Sequence, residues 1–526
     1  MNRIQMSGVL CLACLSCAGP GTEPMEFAGE VRMMWFDDLE SGESYREVWL
    51  EDSSGSIYTL DLEAGLPFVL NSGDQLTFEG VVDDDNWVAP NPSTVVHEPF
   101  METQLRAGST TENVLVIPVN VGKKSLSYGS GCSAAEVEKL YSTNSDSVEN
   151  FYNGVSDGAL NVTVDIGAAV SITAPSSSCD VHTIARWANA AYLADNGSKS
   201  MDGYNRRAYI IPKCAGWAGL AEVTAPGRTS KLWMTDTHAC WQLAMAHELG
   251  HNFGMGHSSI ASSEYGDWSD VMGNGWDPVD FHAAHKVEMG WVKASQIEDA
   301  VSGTEYELAS LDGTDTTSTK VLRFTDSKGR EFYVSYRTQE GWSVDLGSIY
   351  ANQVSVHQEE DRKGHTLLEE LLGETDSYTF SDSTLPKVTF DEIDGDMAVV
   401  TVGASTGTGG STGSSSGGLP IGVVLRGGSL KTSGWAYDPD SPTTPLNVEV
   451  HVDGAKVATF VANKKFSKWR KLFPSAGAFH RFAGSFGRQS KGYHTAEVIA
   501  RDVDSAGKET GKTTPLKPSW SFTMRR

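Results

Sequence analysis

The chain has 526 residues, enough for three or four domains at about 100 to 200 residues each. Hydrophobic residues make up 39% and charged residues 21%, with 14 Trp, 16 Tyr and 19 Phe, which excludes wholesale disorder. Forty-one Lys plus Arg against 68 Asp plus Glu give a net charge of -27, a surface that repels nucleic acid and anionic lipid and disfavours a nucleic-acid enzyme. The charge is uneven. Residues 419–526 carry 17 basic against 8 acidic residues, and the rest carry 24 against 60.

Residues 1–17 read as an export signal, with Arg3 as the positive start and Val9 to Ser16 as an apolar run too short to span a bilayer. Small residues before Cys17 fit a lipoprotein signal in which Cys17 is lipidated. Cys14 stands where such signals usually carry Leu, so ordinary secretion is weighed equally, and the expected location is secreted or cell-envelope. No other segment reaches the roughly 18 apolar residues of a membrane span. Three of the seven Cys lie in the signal, leaving Cys132, Cys179, Cys214 and Cys240. In an exported chain these fit two disulfides, with nearest-in-sequence pairing of Cys132 with Cys179 and Cys214 with Cys240 as the guess among three connectivities. A zinc-thiolate site competes, but the spacings are wide and contain no C-x-x-C.

From about Glu26 to Val82 residues alternate apolar and polar, as in Ser56-Ile57-Tyr58-Thr59-Leu60, which predicts a β-rich module over 18–109 that is either a propeptide or a permanent domain. Asn113 to Val119 predicts the buried first strand of a central domain over 110–302. There, helical patterns at Ala134–Tyr141, Val181–Leu193 and Thr237–Phe253 alternate with strands at Leu160–Ile166, Ala208–Ile211 and Leu220–Val223. Residues 303–403 predict a β domain packed on the central one, and 404–418 a Gly/Ser/Thr linker. Residues 419–526 predict a basic β-sandwich. The fold class expected is multidomain α+β.

The chemistry concentrates in His247-Glu248-Leu249-Gly250-His251-Asn252-Phe253-Gly254-Met255-Gly256-His257, a complete H-E-x-x-H-x-x-G-x-x-H. Residues four apart share a helix face, so His247 and His251 can reach one Zn2+ while Glu248 projects beside them toward a zinc-activated water. Gly254 can take the left-handed conformation that stops the helix and returns His257 as third ligand. Three imidazoles leave a fourth position open, the arrangement of a catalytic site.

This extended motif resembles the metzincin zinc metalloproteases, and Tyr265 to Gly273 looks like the Met-turn of the gametolysin type. By that resemblance the catalytic domain is metzincin-like and Met272 is structural. Cys214 to Val223 is similar to the cleft-edge strand that pairs with extended substrate, which assigns Gly219, Leu220 and Ala221 to substrate contact. Phe281 to Trp291 resembles the helix that follows the Met-turn, where His282 and His285 read as surface or packing residues and not as a second metal pair. Many metzincin zymogens block the metal with a propeptide cysteine, yet no Cys occurs between Cys17 and Cys132, so inhibition by residues 18–109 needs another ligand or steric cover. Acidic clusters at Asp83–Asp85 and Asp391–Asp396 form no complete calcium loop, which leaves Ca2+ unsupported. In the basic module, Ser433 to Asp440 resembles a motif of accessory β domains. Lys464, Lys465, Lys468, Trp469, Arg470 and Lys471 either hold an acidic surface polymer or form a solvated face.

The expected function is an exported zinc endopeptidase acting on extracellular or cell-wall proteins, with Glu248 as general base and acid. The rivals are a zinc hydrolase of a non-protein amide and an inactive adhesin of the same fold.

Overall fold

A computed structural model describes residues 24–524 except 40–42, 63–65, 67–69, 71, 83–86, 100–109, 130, 176–178, 196–199, 215, 262, 276–277, 361–364, 404–420, 428–430, 439–440, 442, 465–479 and 488–491. The signal with Cys17, Asp83–Asp85, the 404–418 segment and the basic run from Lys465 to Lys471 therefore lie outside the described residues.

The chain divides into two compact units, one of Met1–Met34 with Arg46–Met101 and one of Trp35–Tyr45 with Glu102–Arg526. The smaller unit is built of strands. Met25 to Glu30 pairs antiparallel with Gln75 to Gly80, Gln75–Val82 pairs in turn with Trp87–Pro90 and Val96–Glu98, and Ile57–Leu60 pairs with Glu43–Asp52. Phe27, Leu76 and Phe78 are buried at alternate positions, as a one-sided sheet requires.

In the larger unit, Thr110–Val121, Leu160–Ile166, Arg206–Ile211 and Ser230–Thr235 form parallel neighbours, and Gly219–Val223 runs antiparallel beside Ser230–Thr235. Parallel strands are covered on both faces and read as continuous apolar runs, which is why Val114 to Val119 shows so little alternation. The helices Val148–Val155 and Gln242–Asn252 supply Phe151, Tyr152, Leu243 and Leu249 to the core that contains Val114, Val116 and Met272. A second core within 300–402 gathers Leu322, Phe332, Val334, Val354 and Phe390. A third, with Val448, Val450, Phe482 and Val498, lies in the seven-stranded C-terminal sheet.

The expectation of an α+β protein with a metzincin-like fold is overturned. Every α-helix of the described residues lies between Ala134 and Glu288, and strands make up most of the regular structure, so the protein is multidomain and β-rich. The helical pattern at Thr237–Phe253 also overstates its helix, which begins only at Gln242. Thr237 to Cys240 is a turn, closed by His238 N–H donating to the Thr235 carbonyl and Trp241 N–H to the His238 carbonyl. The short helix Val148–Val155 was not anticipated, although Val148, Phe151, Tyr152 and Val155 keep helical spacing behind the Ser147 cap.

The four cysteines do form two disulfides, but with the other connectivity: Cys132 with Cys240 and Cys179 with Cys214, their Cα atoms 5.8 and 5.5 Å apart. Nearness in sequence misleads because folding carries the helix Ala134–Glu138, just past Cys132, onto the segment that leads into Gln242–Asn252. Tyr141, whose hydroxyl donates to the Ala239 carbonyl at 2.8 Å, marks the same contact.

Candidate metal centre and active site

The helix Gln242–Asn252 is buried along its whole inner length, with His247, Glu248 and His251 fully enclosed. It stops at Gly254, whose φ of +105° is open to glycine and strained for other residues; a Cβ there would also press on the Thr224 carbonyl. Gly254 N–H and Met255 N–H close the helix end on the His251 and Gly250 carbonyls. The chain then turns back and places His257 opposite the other two imidazoles.

Each imidazole is anchored through Nδ1. His247 donates to the Val271 carbonyl at 3.0 Å, His251 to the Met255 carbonyl at 2.7 Å and His257 to Glu264 Oε1 at 2.9 Å. Carbonyl and carboxylate oxygens only accept, so these bonds put a ring proton on Nδ1 and leave Nε2 turned toward the other imidazoles. The Nε2 atoms of His251 and His257 lie 3.2 Å apart. Four donors around a metal at about 2.0 Å stand about 3.3 Å from one another, so this spacing suits a shared cation. Nε2 of His247 has no hydrogen-bond partner, and burial drops its pKa to about 3, keeping it neutral and ready to ligate.

Glu248 is beside the cluster with both carboxylate oxygens buried and unpartnered. Burial, with the charge of Asp37 adding to it, pushes its carboxyl well above the usual range. Its room comes from Gly219, where any Cβ would run into the Glu248 carboxylate.

The turn at Asp270–Gly273 lies behind the helix. Met272 is fully buried, and a Cβ at Gly250 would strike its sulfur, so the glycine inside the motif is what lets the turn pack there. Asp270 Oδ1 accepts the Met272 N–H at 2.7 Å, and the neighbouring Val271 carbonyl holds His247.

Sequence profiles place a family here. Gametolysin peptidase M11 matches residues 134–366, a span that contains the three histidines, Glu248 and Met272. The chain carries a gametolysin-type peptidase domain. Autolysin of Chlamydomonas reinhardtii is 37% identical to it over 98 residues, 17% of this chain and 15% of that protein, so the match spans far less than two thirds of the relative.

Around the peptidase motif the structure adds residues that its spacing did not show. Asp37 joins His247, His251 and His257 in one group of candidate ligand atoms, all within 4.8 Å of one another. Its Oδ2 is 3.2 Å from His251 Nε2 and 3.9 Å from His247 Nε2, and its Oδ1 is 3.1 Å from His257 Nε2. Tyr265 donates its hydroxyl to Asp37 Oδ1. Although burial alone would raise Asp37, His257 and His251 hold it well below the usual carboxylate range. Arg206, fully buried against Glu112 at 2.8 Å, donates to the Asn252 and Ala225 carbonyls and so fixes the end of the helix against the neighbouring strands. A lone Asp in a strand and an Arg 41 positions before His247 leave no periodic trace.

The strand Gly219–Val223 holds Leu220 and Ala221 fully buried, and Ala218 N–H donates to the Asp37 carbonyl at 2.8 Å. Along that flank, substrate contact at Gly219 to Ala221 would have to replace residues already present. His282 and His285 are fully buried, so they are not surface residues. His282 Nε2 meets Ser258 Oγ at 3.0 Å and Thr366 Oγ1 at 2.8 Å, while His285 Nδ1 donates to Asp270 Oδ2 at 2.9 Å, behind the methionine turn. Asp391 to Asp394 ends a strand, Gly395 and Asp396 turn into the next, and the cluster joins none of the candidate metal groups among the described residues.

No helix of the described residues is long and apolar enough to cross a membrane. The two disulfides fit an oxidising, extracytoplasmic compartment.

Proposed function

We propose that this protein is an exported zinc-dependent endopeptidase in which His247, His251 and His257 hold the metal and Glu248 moves the proton. The observation that carries the reading is the set of three buried Nε2 atoms, each fixed from behind through Nδ1 and converging beside an unpartnered glutamate. A zinc ion bound there supplies Lewis-acid polarisation of a carbonyl and brings the pKa of water down to about 7.

The chain's own residues do the rest. Glu248 takes a proton from the attacking water as its oxygen bonds to the carbonyl carbon, and returns that proton to the leaving nitrogen as the C–N bond breaks. Its pKa, raised by burial, favours the half in which the carboxyl holds the proton before returning it. Gly219 keeps space for the carboxylate, and Met272 with Val271 holds the floor and His247 in place.

The reading extends to protein or peptide substrates outside the cytoplasm, with release by signal cleavage or retention by lipid on Cys17. In the domain scheme, 18–109 is an N-terminal module, 110–302 the catalytic domain, 303–403 a β domain packed on it and 419–526 an accessory module for a surface polymer. The test is cleavage of an unstructured protein, with and without a zinc chelator, by intact and N-terminally trimmed protein. Glu248→Ala carrying equal zinc should lose roughly 10²- to 10⁴-fold in rate. Equal rates for wild type and variant in both forms would end the proposal.

A further inference from the structure

Asp37 is at the wrong end of the chain for a catalytic residue, 210 positions before His247, yet it is the group that meets all three imidazoles. It belongs to the segment Trp35–Tyr45, which interrupts the smaller unit in sequence and counts with the larger one. That segment is packed as a core element. Leu39 is 2% exposed within the cluster that holds Met245, Leu249 and Met272, and its carbonyl accepts from Asn274 Nδ2 at 2.6 Å. Trp35 lies over the site with its ring centroid 4.5 Å from that of His257. The Asp37 carbonyl takes the Ala218 N–H at the head of the strand Gly219–Val223, where an extended peptide would dock.

With Nδ1 of every histidine spent as a donor, the Nε2 atoms of His257 and His251 stand 3.1 and 3.2 Å from the Asp37 carboxylate. A carboxylate and imidazole nitrogens approach this closely only around a shared positive charge, a proton or a metal ion, and 3.1 to 3.2 Å is also close to the edge of a tetrahedron of ligands at about 2.0 Å. We infer that Asp37 is the fourth ligand of the metal in the intact chain, so that residues 35–39 close the site and keep the peptidase latent. The inference rests on the zinc endopeptidase reading. Cutting the chain after Tyr45 and before Thr110, where the first strand of the central sheet begins, would free the carboxylate from the catalytic unit and open the coordination position to water and substrate. It also answers the missing cysteine: the blocking ligand is an oxygen donor.

The experiment uses full-length protein in a Glu248→Ala background, which cannot trim itself, with Asp37 retained or replaced by asparagine. Loaded with cobalt(II), the two should differ in visible spectrum as a carboxylate ligand gives way to water. Loaded with zinc, Asp37→Asn should release metal to a chromogenic chelator roughly ten-fold faster or more. With Glu248 restored, Asp37→Asn should cleave casein uncut, whereas intact wild type should stay silent until cut before Thr110. Asp37→Cys guards against a folding defect: its thiolate should restore latency, and an organomercurial that takes the thiolate away should release it. Identical spectra and release rates with Asp37 retained and with Asp37→Asn, or an intact wild type as active as the cut one, would overturn Asp37 as a ligand while leaving the endopeptidase standing. A cut wild type that binds zinc and cleaves nothing would instead sink the endopeptidase reading, and a wild type that binds no zinc would sink both.

Discussion

Two buried clusters of histidine and carboxylate lie on either side of the methionine turn, and they are built from the same residue types. In one, His247, His251, His257 and Asp37 turn their remaining atoms toward a common point, and His247 Nε2 finds no partner. In the other, His282, His285 and His357 meet Asp267, Asp270, Ser258 and Thr366 as donors to acceptors. His357 Nε2 is 2.9 Å from Asp267 Oδ2, and Asp270 receives the backbone N–H of His282 at 2.9 Å. Burial and composition alone therefore do not distinguish the two. What separates them is that in the first the three Nε2 atoms converge beside a glutamate whose carboxylate has no partner. In the second His282, His285 and His357 are hydrogen-bonded to Ser258, Thr366, Asp270 and Asp267, although His357 Nδ1 stays unpartnered and these residues also form candidate metal groups.

That distinction can be broken by substitution. His251→Ala should abolish stoichiometric zinc retention after dialysis, whereas His285→Ala should leave it at one per chain; loss of metal from both would erase the contrast. Gly219→Ala should keep zinc but cut peptidase rate by roughly 10²-fold, because its methyl group displaces Glu248 by a fraction of an ångström to an ångström. Unchanged kcat would mean that Glu248 does not act from its observed position. His285→Ala should instead cost about 3 kcal/mol in denaturant stability, since it strands a buried Asp270 carboxylate, with zinc content unaltered.

The smallest effect is one of pH. Asp270 is held well below the usual carboxylate range: burial alone would raise it, but His285 and His282 outweigh that. A depressed folded-state pKa gives stability that is complete above the unfolded carboxylate pKa of about 3.9 and lost as pH falls through the folded value. Asp270→Asn should thus be less stable than wild type at pH 6 and converge on it in acid below about pH 4. A gap that stays constant down to pH 2 would show that the Asp270 charge contributes nothing.

Much of the site was legible because its spacing is local. His247, Glu248 and His251 are related by one helical turn, and Gly254 ends the helix because only a residue without Cβ sits comfortably at φ +105°. Met272 followed from the resemblance of Tyr265 to Gly273 to a methionine turn, while Gly250, in plain view inside the motif, revealed its packing role only once the sulfur was seen against it. The strands Leu160–Ile166 and Met397–Val402 lie where their apolar runs placed them. The β character of the flanking regions was legible in their alternation, but the overall class was misjudged by weighting the central helical patterns, one of which begins five residues ahead of its helix, against strands that make up most of the regular structure.

The sequence by itself determined that His247, Glu248 and His251 share one stretch of helix and that Gly254 stops it before His257, since about 3.6 residues per turn converts spacing directly into geometry, while the turn at Met272 came from the resemblance to a family. Only the tertiary structure decided that Cys132 joins Cys240, that His282 and His285 are enclosed and hydrogen-bonded, and that Asp37 faces the imidazoles from 214 residues away. Contacts over such separations have no period, because they are set by which surfaces bury the most apolar area once the sheets have formed.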